Sequence, residues 1–251
     1  VENMTKNVIW KKAVVISVII MFLGICVSPV IASHPKQSPK IISNDETNYG
    51  IDTEPKEYLF QTIIDIINNP EVNLLFETTK NDGECIHYNY DIRSVFQKIL
   101  FKKPLLIFSM IFSKPSITHT YLETNYNRGC DINNILGEEN SNKIVNSIEI
   151  TNTEFFKNLN DIIMDNEELY DKIISLATIN SPSENSSIFC RILNLLLLGY
   201  LIRAGIVGFL GVFFEGSIIS KIFDLLWFKN WELAGVCLFL YDFLDCDLGN
   251  M

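Results

Sequence analysis

Histidine is close to absent. The chain has three, at positions 34, 87 and 119, which leaves little material for an imidazole-built metal or catalytic site. Positive charge is also scarce: 20 Lys+Arg face 30 Asp+Glu over 251 residues, a formal net charge of −10. A nucleic-acid binder needs a basic face that displaces counterions from phosphates, so no nucleic-acid partner is expected. The sequence holds no G-x-S-x-G, H-E-x-x-H, G-x-G-x-x-G or P-loop pattern, which removes the usual signatures of ester hydrolysis, zinc proteolysis and nucleotide binding. The paired carboxylates Glu138-Glu139 and Glu167-Glu168 fall at expected helix starts, where the dipole favours solvated acids. A zinc site from Cys85, His87, His119 and Cys130 lacks the close ligand pair such sites use. A Cys85–His87 nucleophile pair lacks a third group to orient the base. No catalytic, cofactor-binding or metal-binding residue is assigned.

What the chain has instead is apolar surface. Hydrophobic residues make up 48% of it and the mean hydropathy is +0.19, which excludes a mainly disordered chain and allows a real core. The first apolar run is an address. Lys6, Lys11 and Lys12 form a positive n-region, Ala13 to Val27 an apolar stretch, and Val30-Ile31-Ala32 a short-residue cleavage site before Ser33. Residues 1–32 therefore read as a secretory leader, with an uncleaved signal anchor as the rival reading. Residues 33–52 read as an extended tail.

Charge then divides the rest. Residues 33–187 carry 13 basic and 23 acidic groups, whereas 188–251 carry 4 and 6 and are apolar at 42 of 64 positions. The Ser/Asn-rich stretch 180–187 has a linker's composition. An acidic helical domain over 53–179 and a hydrophobic helical module over 188–251 are expected, an all-α protein. In the acidic part, Leu59, Ile63, Ile66 and Ile67 recur at helical spacing after Thr53 and Pro55 and stop at Asn68-Asn69-Pro70. A second helix begins near Asp91 and ends before Pro104. A third is capped by Ser116 or Thr118 and ends at Gly129. Asp165 with Glu168 resembles a capping box opening 166–178. Asn81-Asp82-Gly83 followed by alternating Ile86, Tyr88 and Tyr90 allows at most a small β-hairpin near 74–90. Asp65–Val72 matches Asp161–Glu168 at four of eight positions; the match reads either as a duplicated helix–turn–helix unit or as two ordinary amphipathic helices converging on common residues.

In the apolar third, Ile192–Phe214 is about 34 Å long as a helix, enough for a hydrocarbon core of ~30 Å. Asn194, four glycines and Arg203 make it a marginal span. Ser217–Lys229 and Trp231–Asp245 read as two further apolar helices, giving either a membrane hairpin or a bundle whose helices are apolar because they form its core. An intramembrane ion pair of Arg203 with Asp224 or Asp242 is the ordinary solution for a charge in mid-span. Of the mature cysteines, Cys190 and Cys246 would meet if the helices fold back, and Cys85 and Cys130 could close a loop in the acidic half. Four cysteines allow three pairings. Cys237 is left as a buried thiol. Asn185-Ser186-Ser187 is a glycosylation sequon at Asn185.

The leader, with Lys11-Lys12, Val14-Val15-Ile16 and Met21-Phe22-Leu23-Gly24, resembles those of exported archaeal proteins. Lys114-Pro115-Ser116-Ile117-Thr118 through Asn134-Ile135-Leu136-Gly137-Glu138-Glu139, then Asp161-Ile162-Ile163 and Asn166-Glu167-Glu168-Leu169, resembles an uncharacterised family of such proteins over roughly residues 55–180. The resemblance implies export and attachment to the cell envelope; it carries no activity and no site residue. The expected function is a membrane-anchored extracytoplasmic module for interaction or scaffolding, its partners membrane lipid and an unknown protein. The alternatives are a pore-forming or lipid-perturbing protein that inserts through 188–246, and an exported hydrolase.

Overall fold

The computed structural model describes residues 55–79, 86–113, 115–179 and 186–246. The expected leader, tail and linker, with Cys85 and the Asn185 sequon, lie outside them. The described chain is helical, with two three-residue strands. In order these are α1 (Pro55–Asn68), α2 (Pro70–Thr79), β1 (Ile86–Tyr88), α3 (Ile92–Lys102), α4 (Pro104–Phe112), α5 (His119–Leu136), α6 (Glu138–Val145), β2 (Ile148–Ile150), α7 (Thr153–Asp165), α8 (Glu167–Ile179), α9 (Ser186–Phe213) and α10 (Ile218–Phe243).

Short polar side chains set the helix starts by accepting orphan backbone N–H groups. Asp91 caps α3, Thr118 caps α5, Asn152 caps α7 and Ser217 caps α10. Asn69 accepts from the amides of Glu71 and Val72, 2.9 and 3.2 Å away, at the α1–α2 break. At the α7–α8 break Asn166, rather than the expected Asp165, accepts from Leu169 N at 3.0 Å. These breaks hold the two echoed sequence segments. The helices that flank them pack crosswise, α1 on α8 and α2 on α7, with Lys172 of α8 bridging to Asp65 of α1 at 3.0 Å.

Three sequence expectations need correction. Among the described residues no hairpin forms near 74–90: α2 occupies the chain to Thr79, and β1 pairs antiparallel with the distant β2, Ile86 opposite Ile150 and Tyr88 opposite Ile148. The third helix does not end at Gly129 but runs on to Leu136, stopping where Gly137 takes φ +85°. Gly129 is needed for packing, since a Cβ there would lie 2.0 Å from the Leu195 carbonyl oxygen of α9. Backbone meets backbone at that crossing. The two helices expected over 217–245 are one continuous α10.

α9 is the axis of the fold. It packs against α10, α5, α6, α1, α3 and α4, and every residue from Leu195 to Val207 is buried. Side chains of the acidic segment and of α9 and α10 share one core, among them Leu59, Ile63, Leu122, Phe155, Leu196, Leu201 and Val236. The described residues therefore fall into one compact unit. The apolar third supplies the interior that the acidic helices cover, rather than standing apart as a separate module. A disulfide joins Cys190 to Cys246, with Cα atoms 5.5 Å apart, and closes the base of the α9–α10 hairpin.

Candidate functional site

The hairpin changes character along its length. Residues 201–207 of α9 are buried, as are Asn230 and 232–241 of α10. Between them, from Gly208 to Lys229, no described side chain is buried. This tip carries 13 apolar residues in 22, with only Glu215, Lys221, Asp224 and Lys229 charged, so its formal net charge is zero.

Local sequence explains its shape. Gly208 lets α10 approach closely, since a Cβ there would be 3.2 Å from the Trp227 ring. Gly216 takes φ +79° in the connecting turn, a conformation that disfavours other residues. α3 reaches the base of the pair, where Phe96 and Arg93 pack on Phe209, but much of the apolar surface nearer the turn is exposed. Val212 is 72% exposed, Ile222 54%, Leu225 51% and Ile219 41%. Together they expose the equivalent of about two whole aliphatic side chains, worth roughly 3–6 kcal/mol on transfer to hydrocarbon.

Amphipathic groups gather at the tip's base. The Trp227 and Trp231 rings meet edge to face with centroids 5.5 Å apart. Lys229 reaches the buried Glu232 at 2.7 Å, and the Arg93 guanidinium lies 5.9 Å from the Phe209 ring centroid. Trp and Arg or Lys side chains, each with an apolar body and a polar end, suit the boundary between hydrocarbon and headgroups.

By length and composition α9 could cross a membrane, with a mean hydropathy of 2.1 over Ile188–Val212, but 72% of its most apolar window is buried inside the protein. Arg203 is accordingly a core residue. It is fully buried, and Nε donates to the Met110 carbonyl at 2.7 Å. Its other nitrogens donate to the Ser113 carbonyl and the Tyr121 hydroxyl. Arg128 donates to Ser109 O at 2.7 Å and Ser113 Oγ at 2.8 Å. Two guanidiniums thus hold the C-terminal end of α4, where unpaired carbonyls and the helix dipole both favour cations. The expected pairing of Arg203 with Asp224 or Asp242 is not formed; both acids are exposed on α10. Burial lowers the pKa of both arginines, and their mutual repulsion adds to that effect at Arg128.

Two grooves offer other candidates. One of about 760 Å³ lies between α1, α5 and α9 and is lined by Lys56, Tyr126, Cys130 and Arg191 among others. Its thiol is not activated: burial raises the Cys130 pKa above the ordinary value, and Lys56 is committed to Glu123 at 3.1 Å. Cys130 is a free cysteine; the loop closure considered for it involves Cys85, which lies outside the described residues. Cys237 is a buried free thiol, its pKa raised by burial alone. The second groove, about 450 Å³, runs between α2 and α7 beside Glu71, Asp161 and Asp165. Among the described residues no three His, Cys, Asp or Glu side chains are placed to hold a metal. His119 contacts Glu57 and packs against Phe60.

Sequence reasoning missed the buried Arg128 and an acid-free basic stretch around α3. The second was visible as 31 consecutive positions, 92–122, without Asp or Glu. No protein-family model, curated protein or solved structure matches the chain.

Proposed function

We propose that this protein attaches to a membrane from one side, inserting the tip of the α9–α10 hairpin into a single leaflet while its acidic helical body remains in water as an interaction module. The observation that carries the reading is the 22-residue tip, apolar and with none of its described side chains buried, continuing the central hairpin of the core. Ile218–Lys229 extends about 18 Å and the α9 part of the tip less, short of the ~30 Å of a bilayer's hydrocarbon. That length favours shallow insertion over a span. It also disfavours the pore-forming alternative, which would require residues 188–207 and 230–246 to leave the core they build. The Trp227–Trp231 pair would then sit at the headgroup boundary.

Export to an extracytoplasmic surface is part of the proposal. It is supported by the leader-like residues 1–32, by the resemblance of that leader to those of exported archaeal proteins, and by the Cys190–Cys246 disulfide, which suits an oxidising compartment. The body would offer its acidic face to a protein partner. Nothing in the grooves favours the hydrolase alternative.

The test is flotation of the purified chain with phosphatidylcholine vesicles, alone and with Ile222→Asp plus Leu225→Asp. Both positions are half exposed, so the substitutions should leave the melting temperature within a few degrees. Lipid binding should fall at least tenfold, because each loses roughly 1 kcal/mol of apolar transfer and adds a charge. Unchanged binding would remove the tip from the function.

A further inference from the structure

We infer that the junction of α4, α5 and α9 binds one small monovalent anion of the halide class, held by Arg128 and the Tyr200 hydroxyl beside Arg203. Two positive charges meet there inside the protein. Arg203 is 0% exposed and Arg128 4%. The titratable groups that act on each guanidinium, among the described residues, are the other guanidinium and the phenols of Tyr121 and Tyr200; no carboxylate is among them. Buried charges are normally paired, because an uncompensated one is costly. The carbonyl end of α4 offsets only part of the two, since a helix C-terminus is equivalent to about half a negative charge.

Hydrogen bonding makes the same demand. Arg203 commits all three of its nitrogens, Nε to the Met110 carbonyl at 2.7 Å and the others to the Ser113 carbonyl and the Tyr121 hydroxyl. Arg128 commits only Nη2, which donates to Ser109 O at 2.7 Å and Ser113 Oγ at 2.8 Å. Its Nε and Nη1 are buried and have no acceptor among the described residues. The Tyr200 hydroxyl, fully buried, has no partner among them either. Asn125 Oδ1, one turn earlier on α5, is unpartnered too and so does not serve Arg128.

Nearly every buried polar group of a native protein is satisfied. The surplus here is of donors, and it lies beside positive charge that lacks a counter-charge. An anion completes both. It would accept charge-assisted hydrogen bonds from Arg128 and a further one from Tyr200, and it would bring the local charge close to neutral. Water could accept from the same donors but would leave the charge as it stands. The enclosure of these donors favours a monatomic ion over a larger oxyanion. Bound there, the ion would tie α4 to the α5–α9 crossing and make the stability of the fold depend on halide.

The experiment uses the full chain, disulfide intact, exchanged into sodium gluconate to remove halide. Urea unfolding is followed as chloride or bromide replaces gluconate at constant ionic strength. Gluconate is too large for the enclosed donors, and a general salt effect would not favour bromide over it. Both halides should stabilise the fold, the folding constant rising about tenfold for each tenfold of halide above saturation. Chloride-35 NMR lines should broaden in the presence of the protein, and bromide should reverse the broadening. Arg128→Gln should abolish both responses, and Tyr200→Phe, which removes one donor, should weaken halide binding about fivefold. Identical unfolding in halide and gluconate would overturn the inference and assign the donors to water alone. A halide response that survives both substitutions unchanged would place the ion elsewhere and also overturn it. If Arg128→Gln does not fold, unchanged halide affinity in Tyr200→Phe overturns it by itself.

Discussion

Gly129→Ala sets two energies against each other at one atom. Gly129 lies inside α5, where alanine is the better helix former by about 1 kcal/mol, so local propensity alone favours the substitution. The added Cβ, however, would stand 2.0 Å from Leu195 O, 2.7 Å from its carbonyl carbon and 3.2 Å from its Cα. Ordinary contact needs well over 1 Å more than the shortest of these. The obstacle is backbone, which cannot rotate aside, so α5 and α9 must separate along an interface that includes Leu122, Ile132 and Leu196, all buried. Overpacking costs about 1–3 kcal/mol where side chains yield, and more where they cannot. A net loss of about 3 kcal/mol is expected, and for a domain of this size that lowers Tm by roughly 6–12 °C. Gly235→Ala is the matched control: its Cβ would meet the Phe155 ring at 3.7 Å and the Phe76 ring at 3.9 Å, both ordinary van der Waals contacts. That variant should be neutral or stabilised by up to about 1 kcal/mol. Circular-dichroism melts of both, disulfide intact, decide the matter. A Gly129→Ala protein as stable as its parent would refute the close crossing of α5 on α9.

Two further outcomes follow from the core. Arg203→Met keeps the bulk but leaves the Met110 and Ser113 carbonyls without their donor; a loss of about 2–4 kcal/mol in urea unfolding is expected. Arg203→Lys should recover only part of this, because a single ammonium cannot serve three acceptors in a fixed fork. Reduction of Cys190–Cys246, 56 residues apart, should cost up to about 4 kcal/mol in the chain-entropy picture. It should lower Tm under reductant, with Cys190→Ser plus Cys246→Ser reproducing the effect and making reductant irrelevant.

Local signals made several elements legible in the sequence. Pro55, the Ile63–Ile67 spacing and the Asn68-Asn69-Pro70 break define α1, and Asp91 and Pro104 bracket α3. What failed was information held by a partner. Gly129 reads as a helix stop until α9's backbone is known to touch it. The strand at Ile86–Tyr88 has its partner at Ile148–Ile150, beyond any local turn signal. A helix apolar on all faces reads equally as a membrane span or as a core axis, and α9 is the axis for most of its length. Arg203 seemed to need a carboxylate because helix-end carbonyls leave no mark in composition. The tip was legible only as apolar sequence; its exposure depends on where the other helices stop. The acid-free run at 92–122 could have been read at once, being a property of sequence alone.

Shallow insertion of the tip is tested most directly by tryptophan fluorescence. The chain has three tryptophans, so Trp10→Phe leaves only Trp227 and Trp231, the pair at the tip's base. Vesicles whose acyl chains carry bromine near the headgroup end should quench this emission and shift it to the blue, more strongly than vesicles brominated deeper in the chain. The additional change Trp227→Phe should remove much of the response. Protein that floats with the vesicles while both tryptophans stay unquenched would contradict insertion through this hairpin.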